Sequence, residues 1–324
     1  MKAKVLSVFL LATVLLMTGC RNDIDKQSQV MSGEGNPVVY ASIYPMYDFA
    51  KNIGKDKIDL RMVVPAGAEP HDWEPTAKVM VQMEEADVFI YNGVGMETWA
   101  DNIFTTLAND KLIIVEASRG IDLLKFHGHE HDKEHEEQDE EHDEGGHHHG
   151  EYDPHVWLDP IRAIKQAENI KDALIQADES NRDFYEANYQ EFADKLKALD
   201  ARYKEALSNV KRKEIVVAHA AFGYIADRYG LEQIPVSGLN PQEEPSAAKL
   251  VQITQLLREK DIKYVFFETL TSPKLSEVLA NEVGARTAVL NPIGGLTQEE
   301  IDAGKDYITV MEENLETLKA VLGE

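Results

Sequence analysis

Eleven histidines occur in this 324-residue chain, and nine of them crowd between His127 and His155. Histidine titrates nearest neutrality of all side chains, and its neutral ring is a good ligand for borderline-soft divalent metals. The crowd divides into two kinds. His127, His129, His131, His135, His142, His147, His148 and His149 lie in "HGHEHDKEHEEQDEEHDEGGHHHG", a stretch without one apolar residue. Such a segment cannot bury a core and reads as solvated. It is either a loop without a role or a low-affinity metal collector beside a stronger site. Histidine is scarce elsewhere in the chain, which favours the collector. His155 differs: it stands in "EYDPHVWLDP", between two Asp-Pro pairs and close to Trp157.

Outside the crowd stand only His71, in "PAGAEPHDWEPT", and His219, in "VVAHAAFGY". A lone histidine is more often a satisfied structural residue than a ligand. Three at the ends of strand-like runs point instead to one shared site. Three neutral imidazoles suit zinc, whereas manganese and magnesium prefer more oxygen. Asp72, Asp153 and Asp159 are near enough in sequence to accept from the outer ring nitrogens.

The elements that must position these residues alternate between strand and helix. "PVVYASI", "IDLRMVVP", "DVFIYNG" and "KLIIVEA" read as strands, with helices over "YPMYDFAKNIG" and "EPTAKVMVQMEEA". A second series begins with "EIVVA" and continues through "LEQIPVSG", "KYVFFE" and "RTAVLNP". Helices are expected over "SAAKLVQITQLLREKDI" and "SPKLSEVLANEVG", and a closing helix from about Gln298 to Leu322. Between the series, Phe184, Tyr185, Tyr189, Phe192, Leu196, Leu199, Tyr203 and Leu207 recur at three- and four-residue steps. That pattern predicts one amphipathic helix over 181–210, about 40 Å long. The fold class expected is α/β: two (β/α) lobes, each a mostly parallel sheet flanked by helices, joined by one long rigid helix. The lobes should occupy 37–180 and 211–324, the first carrying the acidic histidine-rich loop 127–151. Ligands in open α/β sheets bind beyond the carboxyl ends of strands and between domains.

Composition narrows the partners. The net charge is −25, and residues 127–151 alone hold eleven carboxylates against one lysine. An acidic chain lacks the basic footprint that nucleic acid requires and suits cations. The single cysteine, Cys20, excludes intrachain disulfides and thiolate metal cages. The first twenty residues place Lys2 and Lys4 before an apolar run from Val5 to Met17, too short for a comfortable membrane span. They read as a signal peptide. Gly19-Cys20 ends it like a bacterial lipobox, with Met17 in place of the usual Leu, so Cys20 is the expected lipidation site. Residues 21–36 read as a flexible tether.

Together "GAEPHDWEPT", the acidic insertion leading into "DPHVWLDP", "VAHAAFGY" and "FFETLTSPKLSEVLANEVGARTAVLNPIGGLTQEE" resemble the metal solute-binding lipoproteins of bacterial ABC importers. The likeness runs from Val38 to Leu322 and is greatest to the zinc-binding branch of that zinc/manganese family. It implies a non-enzymatic, extracytoplasmic monomer, lipid-anchored to the cell membrane, that carries Zn2+ to a permease and its ATPase. It also implies His71, His155 and His219 as metal ligands. Manganese-binding relatives resemble this pattern with a Glu at the third position, so His219 favours zinc. In several relatives a carboxylate in the motif matching "NPIGG" completes the coordination, but here those places are Gly294 and Gly295. Water, Glu69 or Glu268 would then take the fourth position, with water ranked first.

Two other functions compete. Three histidines plus water also describe a hydrolytic zinc site, but no "HExxH" occurs and Glu69 is the only acid placed to act as base. A zinc-storage or adhesin lipoprotein is the other. If the importer reading is right, excising 127–149 leaves tight binding of one zinc intact by calorimetric titration; loss of that binding would move the main site into the loop.

Overall fold

The computed structural model describes residues 35–126 and 151–324. The signal peptide, Cys20, the tether up to residue 34 and the eight histidines from His127 to His149 lie outside the described residues.

Short β-branched and aromatic runs build the sheets. In the N-terminal half, β1 (Val38–Ala41), β2 (Asp59–Met62), β3 (Val88–Tyr91) and β4 (Ile113–Glu116) form one sheet in the order β2-β1-β3-β4. Every pairing is parallel. Val39, Ala41, Val88 and Ile90 are buried in the main core, whereas Tyr40 and Phe89 point into a second cluster with Trp99. That two-faced burial is what parallel strands with helices on both sides require. Helices α1 (Tyr44–Gly54), α2 (Ala77–Met83) and α3 (Ala100–Phe104) belong to this half. Thr76 caps α2 by accepting from the Val79 amide, so the expected helix starts two residues after Pro75. α3, at five residues, is too short to show a helical period in the sequence.

α4 (Pro160–Ala177) leads into α5 (Arg182–Leu207), the long helix expected between the two series. Its 26 residues span about 39 Å. Tyr185, Phe192, Leu196, Leu199, Tyr203 and Leu207 are all buried along one face. In the C-terminal half, β5 (Glu214–Val217) pairs in parallel with β6 (Glu232–Pro235), and β7 (Tyr264–Phe267) with β8 (Arg286–Val289). α6 (Gly223–Tyr229), α7 (Ala247–Glu259) and α8 (Lys274–Val283) flank them, and β5 lies alongside β7. The strand-helix alternation and parallel pairing expected of both halves are observed.

The closing helix is not continuous. α9 (Gln298–Asp302) stops and α10 (Tyr307–Leu322) begins anew. Gly304 takes φ +80, a left-handed conformation that ends a helix, and the Asp306 carboxylate caps the next one through the Thr309 amide. A helical period spans such a break because both pieces face the same core.

One cluster of buried residues draws on both halves: Val39 and Phe49, Phe192 and Tyr203 of α5, Ile215 and Val217, then Val310 and Leu318. Asp48 of α1 is 2% exposed at this junction. Burial, then the nearby Asp306 carboxylate, pushes its carboxyl up to about 7. A raised folded-state value means that Asp48 favours folding while protonated and loses that contribution as pH rises through about 7. Asp48→Asn mimics the protonated acid. In thermal melts of metal-free protein it should match the parent at acid pH and gain on the order of 2–4 kcal/mol at alkaline pH. Equal melting shifts at both ends would contradict this.

Candidate metal centre

His71, His155 and His219 each leave the scaffold just beyond a strand or at a tight turn. His71 sits in a 3-10 turn, Pro70–Asp72, after β2, and the Glu69 carboxylate receives its amide at 3.3 Å. His155 precedes the 3-10 turn Val156–Leu158, and the Asp153 side chain accepts its amide at 2.9 Å. His219 follows β5 by two residues, ahead of α6. Separated by 84 and 64 positions, the rings meet: Nε2 of His155 lies 3.1 Å from that of His71 and 3.3 Å from that of His219. The three rings are the one group among the described residues able to hold a metal ion, with ligand atoms all within 4.8 Å of one another.

The outer nitrogens decide what the inner ones can do. His155 Nδ1 stands 2.8 Å from Asp153 Oδ1, and His219 Nδ1 stands 2.6 Å from Glu268 Oε1. Assigned from these partners, each Nδ1 donates its proton to a carboxylate, so each Nε2 turns a lone pair inward. Two lone pairs at 3.3 Å repel unless a cation lies between them. Zinc bonded at about 2.0–2.1 Å to tetrahedral nitrogens puts neighbouring ligand atoms about 3.3 Å apart. The separations observed match that spacing.

The carboxylate partners are anchored. Tyr224 of α6 donates to the Asp153 carbonyl at 2.8 Å and receives the Leu124 amide at 3.2 Å. Gly223 makes room: a Cβ built there would fall 2.5 Å from Asp153 Oδ2. Of the aspartates expected to hold the rings, only Asp153 does so. Asp72 accepts from Asn240, and Asp159 caps α4 and pairs with Arg162. Glu268, a candidate fourth ligand from the sequence, uses Oε1 on His219, while its buried Oε2 has no hydrogen-bond partner among the described residues. It follows β7 directly, as His219 follows β5 by two residues, and that shared position just beyond a strand is the sequence signal that marks it. Glu69 lines the same cavity, and burial pushes its carboxyl up to about 7.

The remaining wall is the loop from Asn291 to Gly295. Trp157 donates from its indole to the Pro292 carbonyl at 2.8 Å, and Asn314 pairs with both backbone groups of Asn291. Ile293 is thereby held at φ +60, a conformation that a β-branched residue resists. A Cβ at Gly295 would come 3.0 Å from Leu270 and 3.2 Å from the Ala68 carbonyl. Gly294 and Gly295 therefore present backbone and packing, not a ligand.

Burial lowers the pKa of His71 and His155 well below the usual imidazole range, with neighbouring rings adding to it. At His219 burial is the largest influence and acts against charge, but the Glu268 carboxylate, with Glu69 and Asp153 adding to it, raises the value overall. A protonated ring cannot ligate. Zinc affinity should therefore fall about tenfold per pH unit on the acid side, starting above the usual imidazole range. Glu268→Gln should weaken binding about 10–100-fold at alkaline pH and move that onset to lower pH. Chelator competition across the pH range checks both, and an onset unmoved by the substitution would contradict the pairing.

A family model described as ZnuA, zinc-uptake complex component A periplasmic, matches residues 39–321. The chain is 43% identical over 308 residues to the high-affinity zinc uptake system protein ZnuA of Bacillus subtilis, covering 95% of this chain and 94% of that protein. To the zinc-binding lipoprotein AdcA of Streptococcus pneumoniae it is 40% identical over 95% of its length, spanning 60% of AdcA. The crystal structure of the Zn(II)-bound ZnuA-like domain of Streptococcus pneumoniae AdcA is similar at TM-score 0.74 and 38% identity. It covers 90% of this chain and all of that domain.

Proposed function

The chain belongs to the periplasmic zinc-uptake component A family, and on that premise we propose that it binds zinc with high affinity outside the cytoplasm and delivers it to an ABC importer. His71, His155 and His219 are the proposed ligands. The observation that carries this reading is the convergence of three rings, with His155 Nε2 standing 3.1 Å and 3.3 Å from the Nε2 atoms of His71 and His219 and two outer nitrogens turned to carboxylates. The names of the ZnuA and AdcA relatives support zinc as the ion carried. The likeness to a solute-binding family supports a permease and its ATPase as partners. Lipidation at Cys20 would hold the protein at the membrane; the AdcA relative bears the name lipoprotein.

Three nitrogens leave the fourth place of a tetrahedron to water, with Glu69 and Glu268 as alternatives that the same cavity offers. Of these, Glu268 is engaged with His219, which supports water. An exchangeable fourth ligand suits a carrier that must release its ion.

A water-bearing zinc site also serves hydrolases, in which a base activates that water. Glu69 would be the base, and assay of zinc-loaded protein with ester and peptide substrates tests it: turnover would sink the carrier reading. On the carrier reading, His71→Ala and His219→Ala each weaken zinc binding by at least about a hundredfold, measured by calorimetry. The anomalous signal at the zinc edge should fall between the three rings; a peak elsewhere would overturn the assignment.

A further inference from the structure

The ligands of the proposed centre come from separate parts of the chain, so something must hold those parts in register. A buried charge bridge is placed to do so. Asp159, four residues after His155, is fully buried at the start of α4. Its Oδ1 accepts from the Ile161 amide at 2.8 Å, and its Oδ2 pairs with Arg162 Nη1 at 2.7 Å. Arg228, on α6 nine residues after His219, places Nε 3.2 Å from Asp159 Oδ1. The same Nε lies 2.6 Å from Asp200 Oδ1 on α5. Asp200 is itself held by Tyr229 Oη at 3.2 Å and Lys204 Nζ at 2.9 Å.

We infer that Arg228 is a positioning residue for the metal centre: it locks the turn bearing His155 to the helix that follows His219, and both to the long helix. The inference rests on the ligand set proposed above. Arg228 is not itself a ligand; it acts through Asp159 and Asp200.

The reason is geometric. Coordination tolerates displacements of about 0.5 Å before affinity suffers. The Nε2 atoms of His155 and His219 depend on two turns that share no strand pairing. Tyr224 already ties α6 to the Asp153 carbonyl at 2.8 Å; the apolar packing around it is non-directional. The Arg228 guanidinium donates its Nε–H to Asp200 and forms an ion pair with Asp159, so one charge ties both buried carboxylates together. Removing Arg228 leaves Asp159 with its amide cap and Arg162, so the buried carboxylate keeps a partner and the fold should survive.

The test uses the mature chain with Arg228→Met and Arg228→Lys, read by zinc affinity, by the visible d–d spectrum of the cobalt(II)-loaded protein and by metal-free melting. Arg228→Met should weaken zinc about 10–100-fold and alter the cobalt bands, which report ligand geometry that a merely structural role would leave unchanged. Arg228→Lys, which keeps the charge without the planar Nε–H, should fall between the variant and the parent. Parental affinity or a parental cobalt spectrum in Arg228→Met would overturn the inference. Should that variant not fold, parental values in Arg228→Lys would do the same. His219→Ala in parallel separates the two readings. If it loses zinc while Arg228→Met binds as the parent does, the positioning role alone falls; if it keeps tight zinc, the centre is misplaced and the inference falls with it.

Discussion

A buried imidazole can offer a lone pair inward only if its other nitrogen carries the proton and finds an acceptor. The elements around the three rings meet that condition in a largely buried cavity, with His71 at its more exposed side. Asp153 and Glu268 supply the acceptors, and each is held by elements that otherwise look like ordinary scaffold. Asp153 depends on Tyr224 and on the bare backbone of Gly223. Glu268 depends on the end of β7. The result is a pair of ring nitrogens facing each other at a distance that is unfavourable when empty and matched to a small divalent cation.

The same condition explains how charge is distributed around the centre. His71 and His155 are kept neutral by burial, which prepares them for a cation at little cost in displaced protons. His219, against Glu268, holds a proton more firmly. Proton and metal would thus compete chiefly at one proposed ligand, His219, the one contributed by the C-terminal half. Glycines at 294 and 295 offer no side-chain donor and Glu268 is engaged with His219, in keeping with the proposed open fourth position of a carrier that gives up its ion.

Rigidity in the scaffold complements this economy of ligands. A single core passes from the four-stranded sheet through α5 to α10, so movement of one half against the other would disturb packing throughout. Trp157 spans the same region, giving its indole proton to Pro292 and receiving Tyr307 on its carbonyl. Beside it, the Asp159–Arg228–Asp200 bridge adds a buried charge link to apolar contacts that are themselves non-directional.

Periodicity made the strand-helix alternation and the long helix legible in the sequence, because side chains at fixed spacing must share a face. Local turn chemistry made His71, His155 and His219 conspicuous at strand ends, and the resemblance of their motifs supplied the ligand set. What periodicity could not show was the break at Gly304, since α9 and α10 keep the same apolar face across it. Nor could it show which acid serves which ring. Asp72, Asp153 and Asp159 all lie within four residues of a histidine, yet only Asp153 meets one, and Glu268 reaches His219 from 49 residues away. The sequence by itself determined residue types, strand ends and the absence of thiolate ligands. The tertiary structure alone decided the pairings, because a hydrogen bond depends on position and direction in space, and those are set by how distant turns pack together.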